Sequence, residues 1–143
     1  MKQIDFDNQT DIDIDISKRL DDILSFMSDK SLELIFVDNV TIASINEEYR
    51  GKDTPTDVLS FPLEDMGMGL LGSVVISLDM AKAKADEFGH TLEDEVSLLF
   101  IHGLLHLLGY DHEVDDGQMR EKEKEIILRY NLPSSLIVRT QGE

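Results

Sequence analysis

A chain of 143 residues suits one domain built around one core. Without cysteine it excludes disulfides, zinc fingers and iron–sulfur ligation, fits a reducing compartment, and leaves nitrogen and oxygen to hold any metal. Its 13 basic and 30 acidic residues give a formal charge of −17, which opposes unaided binding to a phosphate backbone: a nucleic-acid substrate would need a local basic patch, a metal or a partner.

The opening Met1-Lys2-Gln3-Ile4-Asp5 leads into acidic residues rather than an apolar run, so no signal peptide is expected. Ile4 to Phe6 reads as a short first strand. Asp11 to Ile16 alternates Asp and Ile with period two, which suits a strand or, given the poor strand propensity of Asp, an extended lead-in with a solvated acidic face. Ser17 is positioned to cap a helix carrying Leu20, Ile23, Leu24 and Met27 on one side. Ser31 to Val37 has the length and branched content of a central strand, and Thr41 or Asn39 can cap the next helix, with Ile42, Ile45 and Tyr49 at helical spacing and Gly51 at its end.

A polar loop from Arg50 to Asp57 follows, in which Arg50 and Lys52 form a basic pair in acidic surroundings. It feeds the apolar strand Val58-Leu59-Ser60-Phe61-Pro62. Residues 64–70 read as a mobile hairpin connection with gap-filling methionines, and Leu71 to Ser77 as a core strand in which Gly72 permits a bulge or a close approach. Ser77 or Asp79 can cap a helix running to Phe88 and stopped by Gly89. His90 reads as a surface or capping residue, and Thr91-Leu92-Glu93-Asp94 as an imperfect capping box.

The helix that follows is apolar on every side from Val96 through Leu108, the mark of a buried helix, and too short to span a membrane. A soluble, cytoplasmic protein is expected. His102 and His106 share one face of this helix at i, i+4 spacing, where both imidazoles reach a single ion. Gly109 sits where a helix stops in the left-handed conformation, letting the chain bring His112 back as a third ligand. Three neutral imidazoles leave a fourth position open for water, the arrangement of a catalytic zinc site. The last helix, Arg120 to Tyr130, interleaves E-K-E-K-E and reads as having a solvated charged face. The sum is one α+β domain spanning residues 1–143, a small mixed four-stranded sheet packed against about five helices, with the histidine helix central and buried.

The spacing H-x-x-x-H-x-x-G-x-x-H resembles the metzincin metalloprotease motif, but Gly103 stands where those proteases carry a glutamate general base. Peptide hydrolysis would therefore lack its proton acceptor. Three segments together resemble the YbeY family of bacterial endoribonucleases: H-G-L-L-H-L-L-G-Y-D-H from His102 to His112, Asn46-Glu47-Glu48-Tyr49-Arg50 followed by Thr56 to Pro62, and Leu71 to Ile76. Order, separations and length fit over nearly the whole chain. Many members carry Asp where this chain has Ser73, so this chain has no carboxylate at that position.

The resemblance implies a metal-dependent, single-strand-preferring endoribonuclease of ribosomal RNA maturation at the small-subunit 3′ end and of ribosome quality control. It implies His102, His106 and His112 as ligands of one Zn2+, Arg50 as a functional residue beside them, and ribosomal RNA with a ribosomal or ribosome-associated protein as partners. Arg50 suits phosphate binding through its planar guanidinium. Asp111 is open to two readings, a turn residue or a carboxylate orienting a ligand imidazole. The nucleophile is equally open between water and a 2′-hydroxyl. Two other functions fit parts of the pattern: a metal-dependent hydrolase of peptides or small esters, and a ribosome-associated binding protein with a structural metal, whose acidity would favour a basic ribosomal protein.

Overall fold

A computed structural model describes residues 3–63, 69–110 and 117–132. The strands are β1 (Ile4–Asn8), β2 (Ser31–Val37), β3 (Val58–Pro62) and β4 (Leu70–Ser77), in the spatial order β1-β2-β4-β3. β1 and β2 pair in parallel, as do β2 and β4, whereas β3 runs antiparallel to β4 and forms one edge. The helices are α1 (Ser17–Met27), α2 (Asn39–Arg50), α3 (Leu78–Phe88), α4 (Leu92–Leu107) and α5 (Gln118–Arg129). The α+β fold expected from the sequence is the fold observed. No helix among the described residues is long and apolar enough to cross a membrane.

Strand alternation sorts the side chains between two faces. Leu32, Leu34 and Phe36 of β2 and Val74 and Ile76 of β4 join the main core beneath α4, whereas Val37, Val75 and Leu59 form a smaller cluster with Ile42 of α2. The two helices therefore lie on opposite faces of the sheet. Helix α4 contacts α1, α3, α5, β3 and β4, as its all-round apolar sequence requires. Arg19 of α1 reaches it, 3.1 Å from Asp94.

Of the two readings of residues 11–16, the extended lead-in is the one observed, with its isoleucines inward and its aspartates outward. Other local details differ from the sequence reading. Ser17 is the first residue of α1 rather than its cap, and Ile16 holds the cap position without a side-chain bond. Asp38, not Thr41 or Asn39, caps α2 by accepting from the Thr41 N–H. Hydrogen bonds from the Thr41 side chain and backbone hold the Asp38 carboxyl below its usual range. A lowered folded pKa adds stability above the ordinary carboxylate pKa, and that stability is lost as the pH falls through the lowered value. Ser77 does cap α3, and Thr91 caps α4.

His90 is not a surface residue. Its side chain is 2% exposed and its Nε2 lies 2.7 Å from Oε1 of the fully buried Glu95, an arrangement that gives a carboxylate inside the core a polar partner. The connection at residues 64–68 lies outside the described residues.

Candidate active site

Two glycines bring the walls of the site together. Gly103 follows His102 on α4 and lies against the sheet: a Cβ there would stand 2.8 Å from Val74 Cγ1 and 3.2 Å from Ser60 Oγ. Its absence lets α4 settle onto β3 and β4, and Ser60 Oγ donates to the Gly103 carbonyl at 3.3 Å. The position that carries the metzincin glutamate thus points into the sheet, with no room for a carboxylate. Gly72, in β4, faces Pro62 across the β3 pairing. Between the Ser31–Leu70 and Glu33–Ser73 pairs β4 has one residue more than β2, and the resulting bulge falls at Leu71 and Gly72.

A cavity of about 650 Å3 runs along the outer edge of β3. Tyr49 and Arg50, at the C-terminal end of α2, stand on its wall, as do His102 and His106 of α4, and residues 56–62 lie between them. The two sequence segments singled out as functional therefore meet, from opposite faces of the sheet, around the edge strand. Asn46 holds this arrangement from behind. Buried one turn before Arg50, it donates from Nδ2 to the Thr54 carbonyl at 2.9 Å and so tethers the loop that leads into β3.

The edge strand presents backbone donors. Ser77 N–H bonds to the Asp57 carbonyl, and Leu63 N–H to the Leu71 carbonyl. Antiparallel pairing alternates, so the intervening Leu59 and Phe61 also bond toward β4, and the N–H groups of Val58 and Ser60 face away from it.

The Nε2 atoms of His102 and His106 approach to 3.2 Å. Two nitrogen donors each about 2.0–2.1 Å from a tetrahedral zinc would stand about 3.3–3.4 Å apart, so the pair fits one such ion. His102 Nδ1 lies 3.2 Å from Oε1 of Glu123, which is buried on α5. A carboxylate only accepts, so this contact selects the Nδ1–H tautomer and leaves the His102 Nε2 lone pair directed at His106. Gly109 does adopt the left-handed conformation, with φ +98°. His112 and Asp111 lie outside the described residues, and among the described residues no third His, Asp or Glu completes a metal cluster.

Glu123, a buried carboxylate against the paired imidazoles, is a candidate site residue that sequence reasoning missed. The alternating charges of α5 suggested a solvated face, but Met119, Glu123, Ile126 and Ile127 form a buried row. Their i, i+4, i+7, i+8 spacing was the available signal.

Fold and site together define a small α+β protein of the paired-imidazole type, in which a buried helix presents two histidines to a cleft opposite an arginine. The family model described as Endoribonuclease YbeY matches residues 2–131. A Nautilia profundicola protein named Endoribonuclease YbeY is 60% identical over 138 residues, covering 96% of this chain and 99% of its own length. A Campylobacter jejuni protein of the same name is 62% identical over 122 residues, covering 85% of this chain and 90% of its own. A solution structure from Thermotoga maritima superposes with a TM-score of 0.63 at 28% identity, covering 97% of this chain and 92% of that one. The chain belongs to the YbeY endoribonuclease family.

Proposed function

We propose that this protein is an endoribonuclease that cuts RNA in the cleft along β3, with His102, His106 and His112 holding one zinc ion, and that its substrate is ribosomal RNA matured at the small-subunit 3′ end. Family membership supports the reaction class. The observation that carries the site assignment is the 3.2 Å approach of the His102 and His106 Nε2 atoms in a cavity shared with Arg50. When bound, the metal would supply Lewis acidity toward a phosphoryl oxygen and lower the pKa of a water molecule.

The chain's own residues then have separable tasks. Arg50 stands on the cleft wall, and among the described residues no carboxylate pairs with it, so its guanidinium is available for a phosphate and for the charge that grows on it in the transition state. The outward N–H groups of Val58 and Ser60 are donors of fixed direction for the same phosphate or its neighbour. Glu123 acts through His102 by fixing its tautomer and ring orientation. The buried, sheet-facing position of Gly103 disfavours peptide hydrolysis by the metzincin route. With a ribosomal substrate the protein works in the cytoplasm, where a basic ribosomal protein would complement its charge of −17.

Arg50→Ala is expected to lower cleavage of a single-stranded RNA about 10²–10³-fold, with circular dichroism and zinc content unchanged. Equal activity in the variant would remove Arg50 from the mechanism. Glu123→Leu is expected to weaken zinc binding about 10–100-fold, and Glu123→Gln, which can still accept from Nδ1–H, by less. Competition against a chromophoric chelator measures this, and equal affinity in all three proteins would show that Glu123 does not orient the ligand.

A further inference from the structure

We infer that Tyr49, backed by Phe61, is a stacking platform for an unpaired nucleobase next to the scissile phosphate. The inference rests on the reading that RNA is cut in the β3 cleft. The structure assigns the platform through the placement, exposure and pairing of the two rings.

Tyr49 is the penultimate residue of helix α2, beside Arg50, and is 64% exposed, one of a small number of large apolar side chains left in solvent. Phe61 is half-buried on β3, and both rings line the cavity that contains His102 and His106. Their centroids are 5.1 Å apart with an interplanar angle of 61°, an edge-to-face pair. In such a pair the ring that supplies its edge keeps both faces unused by its partner, and the other ring keeps one. Whichever ring supplies its edge, Phe61 fixes the tilt of Tyr49 and leaves at least one Tyr49 face uncovered by it. Among the described residues nothing bonds to the Tyr49 hydroxyl, so no polar contact explains the exposed position.

Electrostatics point the same way. The chain carries −17 overall, and among the described residues the cleft wall offers one permanently cationic side chain, Arg50, with the acidic Asp57 nearby. Phosphate attraction, the usual main source of affinity for nucleic acid, is weak here. Stacking on an aromatic ring needs no charge and tolerates any base. It does need the base to be out of a duplex, so a platform at this point would impose a preference for single-stranded RNA.

The test is a cycle between protein and substrate. Versions of a short single-stranded oligoribonucleotide are made with one abasic nucleotide at each position in turn, and any cut in the parent is mapped. Tyr49→Ala is expected to raise KM about 5–150-fold, the range of one base–aromatic stack, with kcat within about twofold, and Tyr49→Phe to restore the wild-type KM. At one flanking position the abasic substrate should cost the wild type the same factor and cost Tyr49→Ala nothing further. Independent losses in protein and substrate, or an unchanged KM in Tyr49→Ala, would overturn the platform.

The same cycle is run on binding of the oligonucleotide by chelator-treated protein, in which the metal activates neither water nor a 2′-hydroxyl. If the folded wild type binds it with this coupling but cuts no RNA, the cleavage reading fails and the platform stands. If it cuts RNA without coupling in either readout, the platform alone fails. If it neither cuts nor binds RNA, both are overturned.

Discussion

His106→Ala is expected to reduce RNA cleavage by about 10³-fold or more, since in the proposed site it takes away a metal ligand on which several kcal/mol of transition-state stabilisation would depend. The loss should not come from unfolding. The His106 ring is only half-buried, it projects into the cleft, and the core contacts of α4 are made by its neighbours Leu104, Leu105 and Leu107. Far-ultraviolet circular dichroism and the thermal transition of the metal-free variant should therefore stay close to those of the metal-free wild type. In the presence of zinc the two should separate, because a ligand that binds only the folded state raises its apparent stability. A His106→Ala protein that still cuts RNA at the wild-type rate would mean that the imidazole pair is structural.

Gly72→Ala carries the largest expected effect on stability, although Gly72 is not among the residues that line the cleft. Its φ is +143°, a region an L side chain rarely adopts, and a Cβ built on it would lie 2.2 Å from the Phe61 carbonyl oxygen and 3.0 Å from Pro62 Cα. Those are backbone atoms of the edge strand. They cannot turn aside as a side chain can, so β3 must move or the bulge must be rebuilt. We expect a loss of about 3 kcal/mol or more from conformational strain and overpacking. For a chain of this size each 1 kcal/mol lowers Tm by about 2–4 °C, so thermal unfolding should fall by about 6–12 °C. Activity should fall as well, since displacing Phe61 and Pro62 deforms the cleft floor. A Tm within 2 °C or so of wild type would show that the strand accommodates the methyl group and that the bulge is not under steric control.

The parts of this molecule legible in its sequence are those where one local rule dominates. Helix α4 is apolar on all sides, β2 and β4 are short branched runs, and Gly51 and Gly89 stop their helices in the left-handed conformation, so the corresponding elements were read at nearly their observed bounds. The reading stayed open, or erred, where two rules competed. The Asp–Ile alternation of residues 11–16 has the period of a strand, yet its aspartates resist pairing and it remains a lead-in. At α2 the expected caps were Asn39 and Thr41, but Asp38 just before them accepts from the Thr41 N–H, while Asn39 Oδ1 accepts from Ser77 Oγ.

The same limit governs the site. His102 and His106 were legible because i, i+4 spacing is itself a statement about geometry. Their partner Glu123 comes from another helix, and its burial was hidden by neighbouring charges. That Arg50 and Tyr49 share a cleft with the histidines depends on where the chain crosses the sheet: α2 and α4 lie on opposite faces and meet only around the β3 edge, which local spacing cannot express. His90 and Glu95 show the converse, a histidine whose partner is five residues away and which is nonetheless a core residue.

The most direct test of the account is RNA cleavage measured as zinc is added back to chelator-treated protein. The account predicts no cleavage from the metal-free protein and full recovery at one equivalent of zinc per chain. Full cleavage without metal, in protein shown by elemental analysis to contain none, would contradict it.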